Sequence, residues 1–228
     1  DHVVTTLSRL YFASELVNQE FWPSIRRLMY EQPEPPNNVF QMMWQKIAEP
    51  LPDEVAEDVF RQISNNYTSI FSTHPCLNDR LKYIGGNMPS RIHWPTHISF
   101  EDSAAAKLLE STFIQEMEKA FSNDWRKSVA EEWESEYRAY QRQLQKKERL
   151  IEEGRRRSMT IDEEWEILMT DYPTWTKQEQ LSRVEKFLGF QPDHPEANLI
   201  VGSFFLGMGK SYEQRAQELL KRATEGNT

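Results

Sequence analysis

A stretch of about fifty residues, from Ser103 to Glu153, contains neither proline nor glycine. These two residues most often end or interrupt a helix, so their absence over this length favours helix throughout. Large residues, most of them apolar, recur at spacings of three and four, which places them on one helical face: Met117, Phe121, Trp125, Val129, Trp133, Tyr137, Tyr140 and Leu144. The stretch is therefore predicted to form one long amphipathic helix, or two in line.

The segments before this stretch carry the same helical periodicity. The first is predicted to bury one face that comprises Val4, Leu7, Leu10, Tyr11, Ser14, Val17 and Phe21. It is predicted to continue past Pro23 as a separate or kinked helix, until Pro33, Pro35 and Pro36 enforce an extended linker. Two shorter helices follow, and "GGNMPSRIHWPTH" (85–97) is predicted to be a loop.

The last part of the chain is predicted to form helical hairpins. Thr160 and Glu163 have the spacing of a capping box. The segment "HPEANLIVGSFFLGMGKSYEQRAQELLKRATEGN" resembles a tetratricopeptide repeat, with matching residues at Gly202, Phe205, Gly209, Ala216, Leu220 and Ala223. The predicted fold class is all-α: a helical array with one long amphipathic helix and tetratricopeptide-like hairpins at the C-terminus.

Composition limits the classes of function. The net charge of −9 argues against a nucleic-acid partner, because phosphate binding requires clustered Lys and Arg. Cys76 is the only cysteine, which excludes an intrachain disulfide and a cysteine-based zinc site. No stretch approaches the roughly 18 apolar residues of a membrane span. The chain begins at Asp1 without an initiator Met or a signal peptide, so we expect it to be part of a longer protein.

Histidines are the main candidates for chemistry. His93 and His97 are four positions apart, the spacing of two metal ligands on a helix. However, Pro95 lies between them and no Glu follows His93, so metal binding by this pair is the minority interpretation. His194 is predicted to belong to a turn. The chain contains no H-E-x-x-H motif, no serine-centred elbow and no phosphate-binding glycine loop.

His74 stands in a more specific context. The segments "EFWPSIRRLMYEQPEPP", "FSTHPCLNDRLKYIG", "SAAAKLLES" and "WRKSVAEEW" occur in this order along the chain. Together they resemble the C-terminal part of bacterial membrane zinc metallopeptidases of the CAAX prenyl protease and HtpX family. The T-H-P-x-x-x-x-R signature, which begins at Thr73, is the most specific local feature of this resemblance.

The resemblance implies a supporting site rather than a complete one. In the family, zinc is bound by the two histidines of H-E-x-x-H and a downstream Glu, positions that would lie upstream of Asp1. We therefore expect no cofactor in this chain and zinc in the full-length parent. The resemblance assigns supporting catalytic roles to His74, near the zinc, and to Arg80, beside the substrate carbonyl. Pro75 suits a first helical position, and Leu77, Leu81 and Ile84 can pack inward. Without the family resemblance, the alternative interpretation is a helix start capped by Thr73, with an exposed His74 and a salt bridge at Arg80.

The leading hypothesis divides the chain into a metallopeptidase tail (1–100), a long-helix region (101–154) and tetratricopeptide-like hairpins (155–228). It describes a non-catalytic soluble region on the cytoplasmic face of the bacterial inner membrane. The expected partners are protein or peptide substrates and the upstream catalytic and transmembrane segments. A homodimer through exposed aromatic residues is a further expectation, and Phe12, Phe21 or Trp22 are candidates for such exposure. The competing hypothesis is a free-standing tetratricopeptide-type scaffold without any protease.

Overall fold

Helices account for all regular structure in the part of the chain that the computed structural model describes, namely residues 2–49, 53–65, 68, 75–87, 99, 101 and 103–225. This confirms the predicted all-α fold class. The chain divides into two compact units, unit 1 (Asp1–Ser135) and unit 2 (Glu136–Thr228). The predicted division at residues 100 and 154 stays a prediction.

Unit 1 begins with α1 (His2–Leu16), a π-helical turn (Val17–Phe21) and α2 (Trp22–Glu31). Four further helices follow: α3 (Val39–Ala48), α4 (Asp53–Asn65), α5 (Leu77–Tyr83) and α6 (Ala104–Leu108). The longest helix, α7 (Ser111–Gly154), contains the boundary between the units. Unit 2 continues with α8 (Ile161–Asp171), α9 (Lys177–Phe190), α10 (Pro195–Gly207) and α11 (Glu213–Glu225), with short 3₁₀ turns at Tyr172–Thr174 and Lys210–Tyr212. None of the described helices combines the length and apolar character that a bilayer span requires.

The π-helical turn explains how the first helix passes Pro23. Proline has no N–H, so it cannot donate to the carbonyl four residues earlier. The Trp22 N–H instead reaches back five residues to the Val17 carbonyl, and the backbone stays helical through Phe21 and Trp22. Buried residues on this face follow the change in register, with steps of four on either side of a step of five: Ser8, Phe12, Leu16, Phe21, Ile25 and Met29.

The buried face of α1 differs by one position from the predicted face. Leu10 is 64% exposed, whereas Ser8 and Phe12 are fully buried. Phe12 packs with Val59 of α4 and with the leucines of α5, so the direction in which these helices approach selects the face. The expectation that Phe12 or Phe21 is exposed is wrong, since both are buried.

The long helix begins later than predicted. The residues from 104 form the separate short helix α6, capped by Ser103, whose Oγ accepts from the Ala106 N–H at 3.1 Å. Leu109 then takes an extended backbone conformation before α7 begins. The predicted aromatic seam is buried at Trp133 and Tyr140, but Phe121 is 54% exposed while its neighbour Ser122 is buried.

Trp133 anchors the core of unit 1. Its side chain packs against Phe21, Ile25, Met29 and Val39. Its indole Nε1–H donates to the Gln32 carbonyl at 2.9 Å, so the buried ring has a partner for its polar atom.

Unit 2 is built from capped helices around an apolar cluster that includes Trp165, Val184 and Val201. The capping box predicted at Thr160 and Glu163 is confirmed, and Thr176 with Glu179 forms a second one. Arginines 155 to 157 pair with Glu152, Glu153 and Glu163, so most of the charge of this run is matched locally.

Candidate functional site

The Pro75 carbonyl is the centre of the part of the T-H-P-x-x-x-x-R signature that the structure describes. The Tyr11 hydroxyl of α1 and the Arg80 Nε–H of α5 both donate to this oxygen, each at 3.0 Å. The Arg80 Cζ lies 5.3 Å from the centre of the Tyr11 ring, within the range of a cation–π contact. A carbonyl oxygen has two lone pairs, and these two donors use both.

A second set of hydrogen bonds holds the start of α5. The Thr68 hydroxyl donates to Asp79 Oδ2 at 2.5 Å and accepts from the Cys76 N–H at 2.8 Å. Hydrogen bonds from the Thr68 hydroxyl and from the Cys76 side chain, with a smaller contribution from the charge of Lys82, hold the pKa of the Asp79 carboxyl below its ordinary value. The side chain of Cys76 is partly exposed.

The helix α5 begins two residues later than predicted. Pro75 was expected at the first helical position, but α5 begins at Leu77 and Cys76 is its N-cap. The expectation is wrong: Cys76 has the extended backbone of an N-cap, and Pro75 lies outside the helix. Leu77 and Leu81 are buried as predicted, whereas Ile84 is 46% exposed.

A glycine turn closes α5 at its other end. Gly85 has a φ of +74°, a left-handed conformation that glycine adopts without steric cost. The Gly85 and Gly86 N–H groups donate to the carbonyls of Lys82 and Leu81, which is the bonding pattern of a Schellman motif. The short helix that carries Arg80 is therefore held at both ends.

Of the residues predicted from the signature, Arg80 is described and His74 lies outside the described residues. His93 and His97 also lie outside them. Arg80 contacts the Pro75 carbonyl and the Tyr11 ring, rather than the carboxylate that the capped-helix interpretation expects. The roles assigned to His74 and Arg80 stay predictions.

A metal centre does not fit the described residues. They contain no group of three or more His, Cys, Asp and Glu side chains placed to hold an ion. The arrangement around Pro75 can hold this backbone carbonyl in one position.

The sequence did not indicate Tyr11, Thr68 and Asp79 as parts of this arrangement. Tyr11 was expected on an inward face, but nothing in its spacing connects it with Pro75, 64 positions away. Asp79 lies directly before Arg80, and its partner Thr68 comes from a different segment.

His194 has a structural role in unit 2, as predicted. It is the N-cap of α10, and its Nδ1 accepts from the Ala197 N–H at 3.3 Å. The imidazole ring centre lies 4.5 Å from that of Trp165 and 5.2 Å from that of Phe187. The Trp165 Nε1–H donates to Glu196 at 2.6 Å, which connects the starts of α8 and α10.

Comparisons with known proteins found no matching family model, no matching curated protein and no matching solved structure.

Proposed function

We propose that this chain is the non-catalytic C-terminal region of a membrane-bound zinc metalloendopeptidase, positioned on the cytoplasmic face of the membrane. In this proposal the segment from Thr73 to Arg80 completes the wall of the protease site. The zinc-binding residues and the membrane spans belong to upstream segments of the same polypeptide, and the substrates are proteins or peptides.

The observation that supports this proposal is the pair of hydrogen bonds on the Pro75 carbonyl. Pro75 is covalently joined to His74, the residue to which the family resemblance gives a role near the substrate. Tyr11 and Arg80 hold that carbonyl from two helices, at 3.0 Å each. A group that acts in a transition state must be held in position within a fraction of an ångström. A neighbouring carbonyl that accepts two hydrogen bonds supplies such support.

In this proposal the two signature residues have different roles. His74 contributes a hydrogen-bond donor to the wall of the site. Arg80 acts as a positioning residue, because its Nε–H is engaged with the Pro75 carbonyl.

The test begins with the coding sequence upstream of Asp1, which must encode H-E-x-x-H and apolar segments long enough to span a bilayer. The full-length protein is then assayed for zinc-dependent proteolysis as wild type, His74→Ala, Arg80→Lys and Tyr11→Phe. We expect His74→Ala to lower kcat by about 10²-fold, as for the loss of a transition-state donor. Arg80→Lys and Tyr11→Phe should lower kcat less, with KM and zinc content unchanged.

Arg9→Ala is the matched control, because Arg9 is an exposed arginine on the same helix as Tyr11. It should cleave like wild type. An upstream region without H-E-x-x-H, or equal activity in all four proteins, would refute the proposal and leave this segment a helix cap.

A second candidate is a protein-binding scaffold without a protease, and the spacing of helices in unit 2 favours it. The first helices of the two hairpins begin at Ile161 and Pro195, 34 positions apart. That spacing equals the length of a tetratricopeptide repeat. A reading frame that begins near Asp1 and encodes neither H-E-x-x-H nor a membrane span would select this candidate over the first.

A further inference from the structure

The three consecutive arginines between α7 and α8 precede an exposed serine. The sequence "RRRSM" (155–159) places arginines two and three positions before Ser158, and no other serine or threonine of the chain has both. Arginine-directed serine kinases bind guanidinium groups at these two positions with carboxylates, which match the planar fork of arginine. The segment therefore has the residue pattern of a phosphorylation site.

Ser158 lies where a kinase can reach it. The helix α7 ends at Gly154 and α8 begins at Ile161, so Ser158 belongs to the connection between them. It is exposed, and Thr160 beyond it has an extended backbone. A kinase aligns the substrate hydroxyl with the γ-phosphoryl group of ATP, which requires the surrounding residues to enter the kinase cleft. A non-helical segment at the surface can do so without the unfolding of a helix.

The two arginines before Ser158 are accessible to a kinase. The side chains of Arg155 and Arg156 are 71% and 77% exposed, and both pair with the same carboxylate, that of Glu152. Exposed ion pairs contribute little to stability, and here one carboxylate serves two guanidinium groups. The exchange of Glu152 for carboxylates of a kinase would therefore cost the chain little.

Four other hydroxyl residues follow an arginine by two or three positions, and each is constrained by the fold. Three lie in helices, where the hydroxyl donates to a main-chain carbonyl of the preceding turn at 2.7–2.8 Å: Ser64 in α4, Ser128 in α7 and Thr224 in α11. The fourth, Thr160, is the cap of α8, and its Oγ1 accepts from the Glu163 N–H. Ser158 lies in no helix and is not a cap, so the structure singles it out.

We propose that Ser158 is phosphorylated by an arginine-directed serine kinase. In the reaction the Ser158 Oγ forms a bond to the γ-phosphorus of ATP, and the bond from that phosphorus to the β,γ-bridging oxygen breaks. ADP leaves with that oxygen, and the hydroxyl proton passes to a carboxylate of the kinase. This inference rests on unit 2 alone and does not require the proposed protease, so it can hold or fail independently of the zinc-dependent assay.

The modification would act on the start of α8. Phosphoserine carries a charge of about −1.5 to −2 at pH 7. One nitrogen of the neighbouring guanidinium, Arg157 Nη1, donates both to the Ser158 carbonyl at 3.1 Å and to the Glu163 carboxylate at 2.7 Å. The phosphoryl group would therefore compete for this guanidinium with Glu163, which closes the capping box of α8. Phosphorylation thereby weakens the pairing of Arg157 with Glu163.

The test incubates the 228-residue chain with Mg²⁺, ATP and the catalytic subunit of cyclic-AMP-dependent protein kinase, an arginine-directed serine kinase. We expect mass spectrometry to find one phosphoryl group per chain and to place it on Ser158. Ser158→Ala should abolish the incorporation. Arg155→Gln and Arg156→Gln should each lower kcat/KM by about tenfold or more, since each removes charge-assisted hydrogen bonds to the kinase.

The chain offers matched controls for the serine and for the arginines. Ser128 is exposed and follows Arg126 and Lys127, but it lies inside α7. It should stay unmodified in the folded chain. Arg9→Gln removes an exposed arginine of α1, far from Ser158 in the sequence, and should be phosphorylated like wild type.

Two further measurements connect the modification with the protein in its cells and with its effect on α8. Protein isolated from its own cells with phosphatase inhibitors should carry phosphoserine at position 158. In the unmodified chain, hydrogen bonding from Arg157 lowers the pKa of Glu163 to about 2. In the phosphorylated chain this pKa should rise in an NMR titration, because a nearby negative charge disfavours the ionised carboxyl.

Any of four results would overturn the proposal. The first is the absence of phosphoserine at position 158, in the kinase assay or in protein from its own cells. The second is incorporation at Ser128 as fast as at Ser158. The third is equal kcat/KM for Arg155→Gln, Arg156→Gln and Arg9→Gln. The fourth is an unchanged pKa of Glu163 after phosphorylation, which would refute the effect on α8.

Discussion

Gly202 lies where α10 packs tightly against α11, and its replacement by alanine is a sensitive test of the packing in unit 2. A methyl group on Gly202 would lie 2.9 Å from Leu220 Cγ, 3.1 Å from Leu220 Cδ2 and 3.3 Å from the Ala216 carbonyl oxygen. The first of these distances is shorter than the contacts that Cβ atoms make with other heavy atoms in folded proteins. Leu220 must therefore move, and the Ala216 backbone limits how far α10 itself can shift.

Two effects of opposite sign determine the magnitude. Alanine is favoured over glycine inside a helix by about 0.8–1.0 kcal/mol. Forcing an extra methyl group into a packed site costs about 1–3 kcal/mol. The net expectation for Gly202→Ala is a loss of about 0–2 kcal/mol in the free energy of unfolding of unit 2.

Gly189→Ala isolates the first effect. Gly189 lies within α9, and a methyl group there would have no neighbour within 4 Å. We expect this variant to be more stable than wild type by up to about 1 kcal/mol. The difference between the two variants, about 1–3 kcal/mol, is then the packing cost at Gly202.

The assay is native-state amide hydrogen exchange, because it measures the opening free energy of α10 and α11 separately from that of the helices in unit 1. The double variant Gly202→Ala, Leu220→Ala should show coupling, since removal of the leucine side chain also removes the close contact. The reasoning would be refuted if Gly202→Ala stabilised α10 as much as Gly189→Ala stabilises α9.

Three further predictions concern caps and buried polar atoms. Trp133→Phe removes the donor to the Gln32 carbonyl and should lower the stability of unit 1 by about 1–3 kcal/mol in urea titration; a loss below about 0.5 kcal/mol would mean that water replaces the indole. Thr176→Ala should destabilise α9 by about 1 kcal/mol in the same titration, whereas Thr176→Ser should not, because serine caps equally well. Hydrogen bonding from Arg157, then from the Thr160 N–H, lowers the pKa of Glu163 from 4.5 to about 2. Because the pKa of Glu163 is lower in the folded state than in the unfolded state, ionised Glu163 stabilises the fold. This contribution is complete above pH 4.5 and is lost as the pH falls towards 2. A Glu163 pKa near 4.5 in an NMR titration, or an unchanged acid transition in Glu163→Gln, would contradict this.

The sequence predicted helices well because the signals of helix formation are local. The capping box at Thr160 and Glu163 needs only residues three positions apart, and the structure contains it. The inward positions Leu77 and Leu81 were likewise predicted from spacing and are buried. Side-chain period and capping chemistry are properties of one segment, so they can be recognised without knowing its neighbours.

Predictions that depended on the orientation of a helix were less accurate. The spacing predicted Phe121 in the apolar seam of α7, but the structure buries its neighbour Ser122 instead. The apolar stripe of a helix is wide, and the approach of neighbouring helices selects its centre. The site shows the same limit: Arg80 was identified from the signature, but its partner Tyr11 comes from another helix.

By itself the sequence therefore determined the helical fold class, most of the segments that become helices and the capping box at Thr160 and Glu163. Only the tertiary structure decided the π-helical register change before Pro23, the start of α5 at Leu77 and the two donors on the Pro75 carbonyl. It also left Phe113 and Phe121 of unit 1 about half exposed. The physical reason is that helix formation depends on hydrogen bonds and contacts within a few residues, whereas these features depend on segments that meet only when the chain packs.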